Sequence, residues 1–336
     1  PATIFIALLK IKIEPALLFL PFMALAINFA MFFGTKAFLK LCGYQRDSAT
    51  HRTLLMLIPS FAPGLSCLPF VLEYLGDTAL AHAALADVGN KVFVLIILYL
   101  LAMHWYYQLR PQDDSPNTSS RVKELLSALI KEPINMVIVV AILLLVAGFN
   151  LASLPTFLQD SITRMSALMT PMVLIFIGIA VKLSKREFVP LLQLLFLRSG
   201  LAFLLSTLLL FLVPGELAVS SALLIVAFPQ SACSFWPFAH MTAVNTMEED
   251  SGRTFDVSLA LNVLALSLPF STSIILGVFS AGEFFASPLV TLLAGLLLMG
   301  LGALPRLLRR PATTSTVVQE STPVQQNVNV AEMSKA

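Results

Sequence analysis

Apolar runs long enough to cross a bilayer recur along almost the whole of this 336-residue chain. They fall near 16–41, 52–75, 79–107, 133–150, 160–181, 188–213, 217–243, 254–280 and 284–304, with a stub at 1–9. A helix rising 1.5 Å per residue needs about 20 residues to span a ~30 Å hydrocarbon core. Transmembrane strands would show alternation over ~10 residues instead. Charged residues make up only 12% of the chain, against about 25% in soluble domains, and mean hydropathy is +0.87. So few charges cannot cover a protein of this size in water. The sequence therefore predicts an all-α integral membrane protein with nine complete spans and the end of a tenth. The chain opens at Pro1 inside an apolar stretch with no signal-peptide pattern. The expectation is a protein that begins further upstream.

Charge placement sets the expected orientation. Sixteen of the 21 Lys and Arg residues fall on one side of this span order, three on the other, and Lys91 and Arg198 lie within spans. By the positive-inside rule, the polar loop 111–124 and the C-terminal tail face the cytoplasm. Three cysteines, Cys42, Cys67 and Cys233, make no disulfide framework. No Walker loop, nucleophile elbow or HExxH pattern is present, so neither an ATP-driven pump nor an intramembrane enzyme is expected.

The chain also repeats itself. Pro1 and Pro171 are 170 residues apart, as are Pro59 and Pro229. Ser66-x-x-Pro69-Phe70 recurs at Ser234-x-x-Pro237-Phe238 after 168, and Asp87-Val88 at Asp256-Val257 after 169. That period covers five spans. Five is odd, so the second half enters the membrane from the opposite side, an inverted-topology repeat. The resulting division is a first repeat at 1–110, a cytoplasmic loop at 111–124, a second repeat at 125–280, an extra transmembrane helix at 281–305 and a disordered cytoplasmic tail at 306–336.

Two spans, repeat partners of each other, carry prolines that a continuous helix would not hold. One contains Pro59, Pro63, Gly64 and Pro69, the other Pro229 and Pro237. Each interior proline deletes a backbone donor and costs ~3 kcal/mol in a regular helix. Unwound backbone at membrane depth is tolerated where it lines a cavity or is buried in protein. Paired breaks therefore predict a site at the repeat interface, where half-helix N-termini favour a small anion. Ser60, Ser66, Gln230, Ser231 and Ser234 are the candidate donors, although membrane serines more often bond a local carbonyl. The substrate-binding set is thus Ser60, Pro63, Gly64, Ser66, Pro69, Pro229, Gln230, Ser231, Ser234 and Pro237.

Ionisable groups inside spans cost ~2.5–3.5 kcal/mol on insertion scales and are functional candidates by default. Asp87, Asn90 and Lys91, at i, i+3 and i+4, share one helix face. They form either a structural ion pair or a coupling site in which one member titrates. Arg198 stands alone in an apolar run and must face protein, water or an anion; a salt bridge to a neighbouring span is its plainest reading. Asp256 takes the place of Asp87 in the second half, either as its counterpart or as a solvated cap, with Asn262 two turns further on. Asp87, Asn90, Lys91, Arg198 and Asn262 are the ion-coupling candidates. No metal site is expected.

The pattern Pro59…Gly64…Leu68-Pro69-Phe70-(x)5-Gly76 resembles the auxin efflux carrier family of permeases. So do Lys131-Glu132-Pro133-Ile134, Thr170-Pro171-Met172-(x)5-Gly178 and Phe228-Pro229-Gln230-Ser231-Ala232. The likeness runs to about residue 280. It implies two inverted five-helix repeats with proline-crossed helices making the site, a missing first helix and most of a second, and an added C-terminal helix. The chain departs from that pattern at Ala62-Pro63, where the family commonly has Asn, and at Asn262, where it has small hydroxyl residues. By resemblance the function is secondary transport of a small organic anion by alternating access, in the inner (plasma) membrane. No cofactor is implied, and H⁺ or Na⁺ is the candidate coupling ion. Expected partners are the anion, the lipid bilayer and a second copy in a homodimer, with no nucleic acid. The alternatives are a sodium-coupled symporter of the bile-acid type and a non-transporting membrane sensor that uses the same pocket.

The topology is open to a direct test. Ser115→Cys and Thr314→Cys should react with an impermeant thiol reagent from the cytoplasmic side, and Asp77→Cys from outside. Labelling of positions 115 and 77 from the same side would break the span order.

Overall fold

The computed structural model describes residues 2–10, 17, 19–41, 44, 48–109, 133–168, 172, 175, 185–213, 217–248 and 253–308. The loop 111–124, most of the later half of the span expected at 160–181, and the tail beyond 308 lie outside the described residues. The helices are α1 Ala2–Lys10, α2 Leu20–Leu41, α3 Ala49–Leu57, α4 Pro63–Ser66, α5 Leu68–Lys91 and α6 Leu98–Leu109. They continue with α7 Pro133–Val146, α8 Thr156–Ala167, α9 Lys185–Leu212, α10 Val219–Ala227, α11 Phe235–Thr246, α12 Val257–Ala281 and α13 Pro288–Leu308. Among the described residues there is no strand.

Five segments among these are long and apolar enough to cross a membrane: Leu20–Lys40, Leu68–Leu109, Phe188–Leu212, Val219–Thr246 and Val257–Ala286. The polarity of the molecule agrees. Phe22 is 67% exposed and Phe211 69%, whereas Asp87 is 4% exposed and Arg198 1%. Apolar surface on this scale, wrapped around buried charge, is stable only in lipid. The chain is an all-α membrane protein.

The segment Leu68–Leu109 has 42 residues. As one straight helix it would be about 63 Å long, twice the hydrocarbon core. Gly76 divides it: its φ of 81° lies in the left-handed region that a side chain disfavours, so the helical path breaks there. The sequence expectation of separate spans at 52–75 and 79–107 places its boundary at this residue. Further on, the six residues Val92–Ile97 form a π-helical stretch directly after Lys91.

Both proline-rich spans are broken, and in the same way. α3 and α10 are nine residues each. The turn after α3 closes with the Ser60 amide and hydroxyl both donating to the Leu57 carbonyl, at 3.1 and 2.6 Å. The turn after α10 closes with Ser231 donating to Phe228 at the same two distances. Chain direction resumes in α4 with Pro63 at its first position, and in α11 with Ser234 as N-cap. The Ala62 amide donates to Ala232 O at 2.8 Å, and the Ser234 amide to Ser60 Oγ at 3.0 Å. Two residues forward on one segment is two residues back on the other, so the breaks cross in opposite directions. An inverted repeat requires this.

One sequence match is coincidental. Asp87 lies deep inside α5, whereas Asp256 is the N-cap of α12, accepting from the Leu259 amide at 2.9 Å. The carboxylate of Asp256 is a cap, and the two aspartates occupy unlike places.

Small residues set the tightest helix contacts. α13 lies along α9, where Gly200 meets the Gly295 carbonyl, Gly302 meets the Gln193 carbonyl, and the Thr207 hydroxyl bonds Thr291 at 2.9 Å. α5 approaches α2 so closely at Gly89 that an added Cβ would sit 1.8 Å from the Pro21 carbonyl oxygen. Gly89→Ala should therefore force the two helices apart and destabilise the fold by about 1–3 kcal/mol. Gly277→Ala, into open space, should leave stability unchanged or raise it slightly. Thermal unfolding of the two purified variants in detergent distinguishes these outcomes.

Candidate functional site

A helix break frees carbonyls that would otherwise accept from amides four residues on. At membrane depth water cannot take their place, so side chains must. In the first break every freed carbonyl from 58 to 61 has such a donor. Arg198 Nε donates to Ile58 O at 3.0 Å and Arg198 Nη2 to Ser60 O at 3.1 Å. Asn28 Nδ2 donates to Pro59 O at 2.9 Å and Asn90 Nδ2 to Phe61 O at 3.0 Å. The donors alternate along the backbone: the even carbonyls go to α9, the odd ones to α2 and α5. That is the period-two pattern of a non-helical segment.

The second break is tied to the same group. Arg198 Nη2 also donates to Ser231 O at 2.6 Å. One guanidinium thus grips both crossing segments. Ser66 Oγ accepts from the Ala232 amide at 2.8 Å, and Ser267 Oγ from the Cys233 amide at 3.2 Å. Gln230 is turned towards α9, accepting from Ser199 Oγ at 2.5 Å and donating to Ser199 O at 3.1 Å. Phe61 and Phe228 meet edge to face across the crossing, 6.1 Å between centroids.

A cavity of about 390 Å³ opens against the crossing. Its wall is formed by residues 61–65 and 232–236, by the polar face Asp87, Asn90 and Lys91, and by Val94 and the apolar side of α12 from Leu261 to Leu268. This is a size that holds a small organic molecule. The N-terminus of α11 opens onto it at Phe235 and Trp236, bringing the positive end of a helix dipole. Lys91 Nζ stands 3.5 Å from Asp87 Oδ2, and Asn90 Nδ2 donates to Asp87 Oδ1 at 2.8 Å. Asn28 joins the network by donating to Asn90 Oδ1 at 3.1 Å. Among the described residues no cluster of three His, Cys, Asp or Glu side chains could hold a metal ion.

Of the residues expected at the site, Pro63, Gly64, Ser234, Asp87, Asn90 and Lys91 line this cavity. Ser60, Ser66, Gln230 and Ser231 do not: the serine hydroxyls hold the crossing itself, and the Gln230 amide holds Ser199 of α9. Pro69, Pro229 and Pro237 are buried within the broken spans and shape them. Asn262 is half-buried on α12 beside the wall residue Leu261. Arg198 lies behind the crossing, bonded to backbone carbonyls; among the described residues no carboxylate pairs with it. Asn28 and Ser199 were not singled out from the sequence. For Asn28 the signal was present, since a fully buried amide inside the apolar run of α2 is itself an expensive residue in a span.

Asn28→Ala and Asn90→Ala should each strand a carbonyl of the first break and lower stability by about 1–3 kcal/mol. Because the two amides also bond each other, the double variant should lose less than the sum of the singles. A double-mutant cycle measured by thermal unfolding in detergent checks this; strict additivity would mean that the network is not coupled.

No protein-family model matches the chain, and neither a curated protein nor a solved structure does.

Proposed function

We propose that this chain is a secondary transporter of a small organic anion, working by alternating access around the crossing of its two broken spans. The observation that carries this reading is the cavity walled by both breaks, since a site shared by two repeat halves changes its exposure when one half moves against the other. The N-terminus of α11 favours negative charge there. The apolar wall at Phe61, Leu65, Trp236 and Leu264 suits a carbon skeleton. The motif resemblance to auxin efflux carriers points the same way, and the reading includes placement in the plasma membrane with the tail in the cytoplasm.

Asp87 and Lys91 are the coupling pair in this reading. A carrier accumulates substrate only if the driving ion binds one access state more tightly than the other. Protonation or ion binding at Asp87 would release Lys91 and change the charge facing the cavity.

The test is uptake by the purified protein in proteoliposomes, screened across mono- and dicarboxylates under proton and sodium gradients. At least one anion should accumulate. Asp87→Asn should abolish gradient-driven accumulation while leaving exchange. Full recovery of accumulation in Asp87→Asn with Lys91→Met would return the pair to a structural role. Binding without uptake would identify a sensor.

A further inference from the structure

The buried charges around the crossing do not balance. Asp87 and Lys91, 3.5 Å apart, cancel. Arg198 is 1% exposed; it donates to the carbonyls of Ile58, Ser60 and Ser231, and the Cys233 side chain, a wall residue, lies against it. Carbonyl dipoles solvate a guanidinium but bring no net charge, and a guanidinium keeps its proton in proteins. Among the described residues one positive charge is left over. It lies directly behind the cavity: Arg198 Cζ is 5.6 Å from the centroid of the Phe61 ring, and Phe61 is part of the wall. The Ser231 carbonyl that it grips belongs to the residue before Ala232, another wall residue. Arg198 does not line the cavity, yet only the Phe61 ring, the Cys233 side chain and a stretch of backbone separate it from the contents. In a medium of low dielectric that gap weakens its field little.

We propose that Arg198 is a positioning residue that sets the charge of the site, so that the cavity selects an anion with a single negative charge. This rests on the transport reading. While Asp87 is ionised and holds Lys91, a monoanion neutralises the site, whereas a dianion brings a surplus charge into a membrane interior. Among the described residues the wall holds no second cation for another carboxylate: Lys91 is the one Lys or Arg that lines it, and Asp87 stands 3.5 Å from it. The selection comes from net charge, not from contact, and this separates it from a purely mechanical role. A clamp on three carbonyls needs the forked guanidinium. A charge does not.

The test uses the full chain in detergent and in proteoliposomes, with benzoate and hexanoate as monoanion probes and succinate and glutarate as dianion probes. Binding is read by thermal stabilisation and by uptake. The wild type should bind the better monoanion at least about tenfold more tightly than either dianion. Arg198→Lys keeps the charge and loses the fork; it should melt lower yet hold that preference to within about threefold. Arg198→Gln keeps a donor and loses the charge, and should lose about tenfold in monoanion affinity. Equal losses in the Lys and Gln variants would overturn the proposal in favour of a mechanical clamp. So would a wild type that prefers the dianions, a result that needs no variant to fold. If the wild type responds to none of the four probes, the transport reading falls and takes this proposal with it. If it binds them and the charge at 198 makes no difference, only this proposal falls.

Discussion

The grip of Arg198 on Ile58, Ser60 and Ser231 is the interaction on which the centre of this molecule depends. Two broken helices crossing in lipid expose carbonyls that neither water nor a regular helix can satisfy. A hydrogen bond to a charged donor contributes about 1.5–3 kcal/mol, and here one side chain supplies three of them. Burying the guanidinium is expensive in itself. The cost is tolerable because the carbonyls would be stranded without it. Break and arginine make sense only together.

Around that grip the polar groups are arranged in two layers. On the α9 side, Arg198 binds carbonyls of the crossing, while Ser199 and Gln230 bind each other. On the opposite side, Asn28, Asn90, Asp87 and Lys91 form a chain from the Pro59 carbonyl to the edge of the cavity. The first layer is closed on itself. The second opens onto space that a ligand can enter, and it carries the groups able to change charge. Holding and responding are thus assigned to different faces of one crossing.

The parts of this arrangement legible in the sequence were those with local causes. Pro59, Pro63 and Pro229 announce the breaks because a missing donor is a property of the residue itself. Asp87, Asn90 and Lys91 announce a shared face because helical spacing alone puts them there. What stayed hidden depends on distant partners. Nothing near Arg198 indicates that its acceptors are carbonyls 140 residues earlier in the chain. Ser60 and Ser66 look like ligands for an anion until the opposing segment arrives to claim their hydroxyls. The match of Asp87 with Asp256 misleads for the same reason. A dipeptide repeats readily, whereas the place of a residue along a helix is set by where that helix begins.

The distance in sequence between the crossing and its arginine has a consequence for how the protein is made. The carbonyls of Ile58 and Ser60 enter the membrane about 140 residues before Arg198 is synthesised. Asn28 precedes them and Asn90 follows soon after, so the odd-numbered carbonyls find donors within the first half of the chain. The even-numbered ones must wait. The first half therefore leaves the ribosome with two carbonyls of its break still without donors. The finished crossing is then a late event in biogenesis, set by the arrival of α9 and completed when Ser231 and Ala232 come into place. A chain cut short before residue 198 would keep the Ile58 and Ser60 carbonyls without the donor that the finished protein gives them.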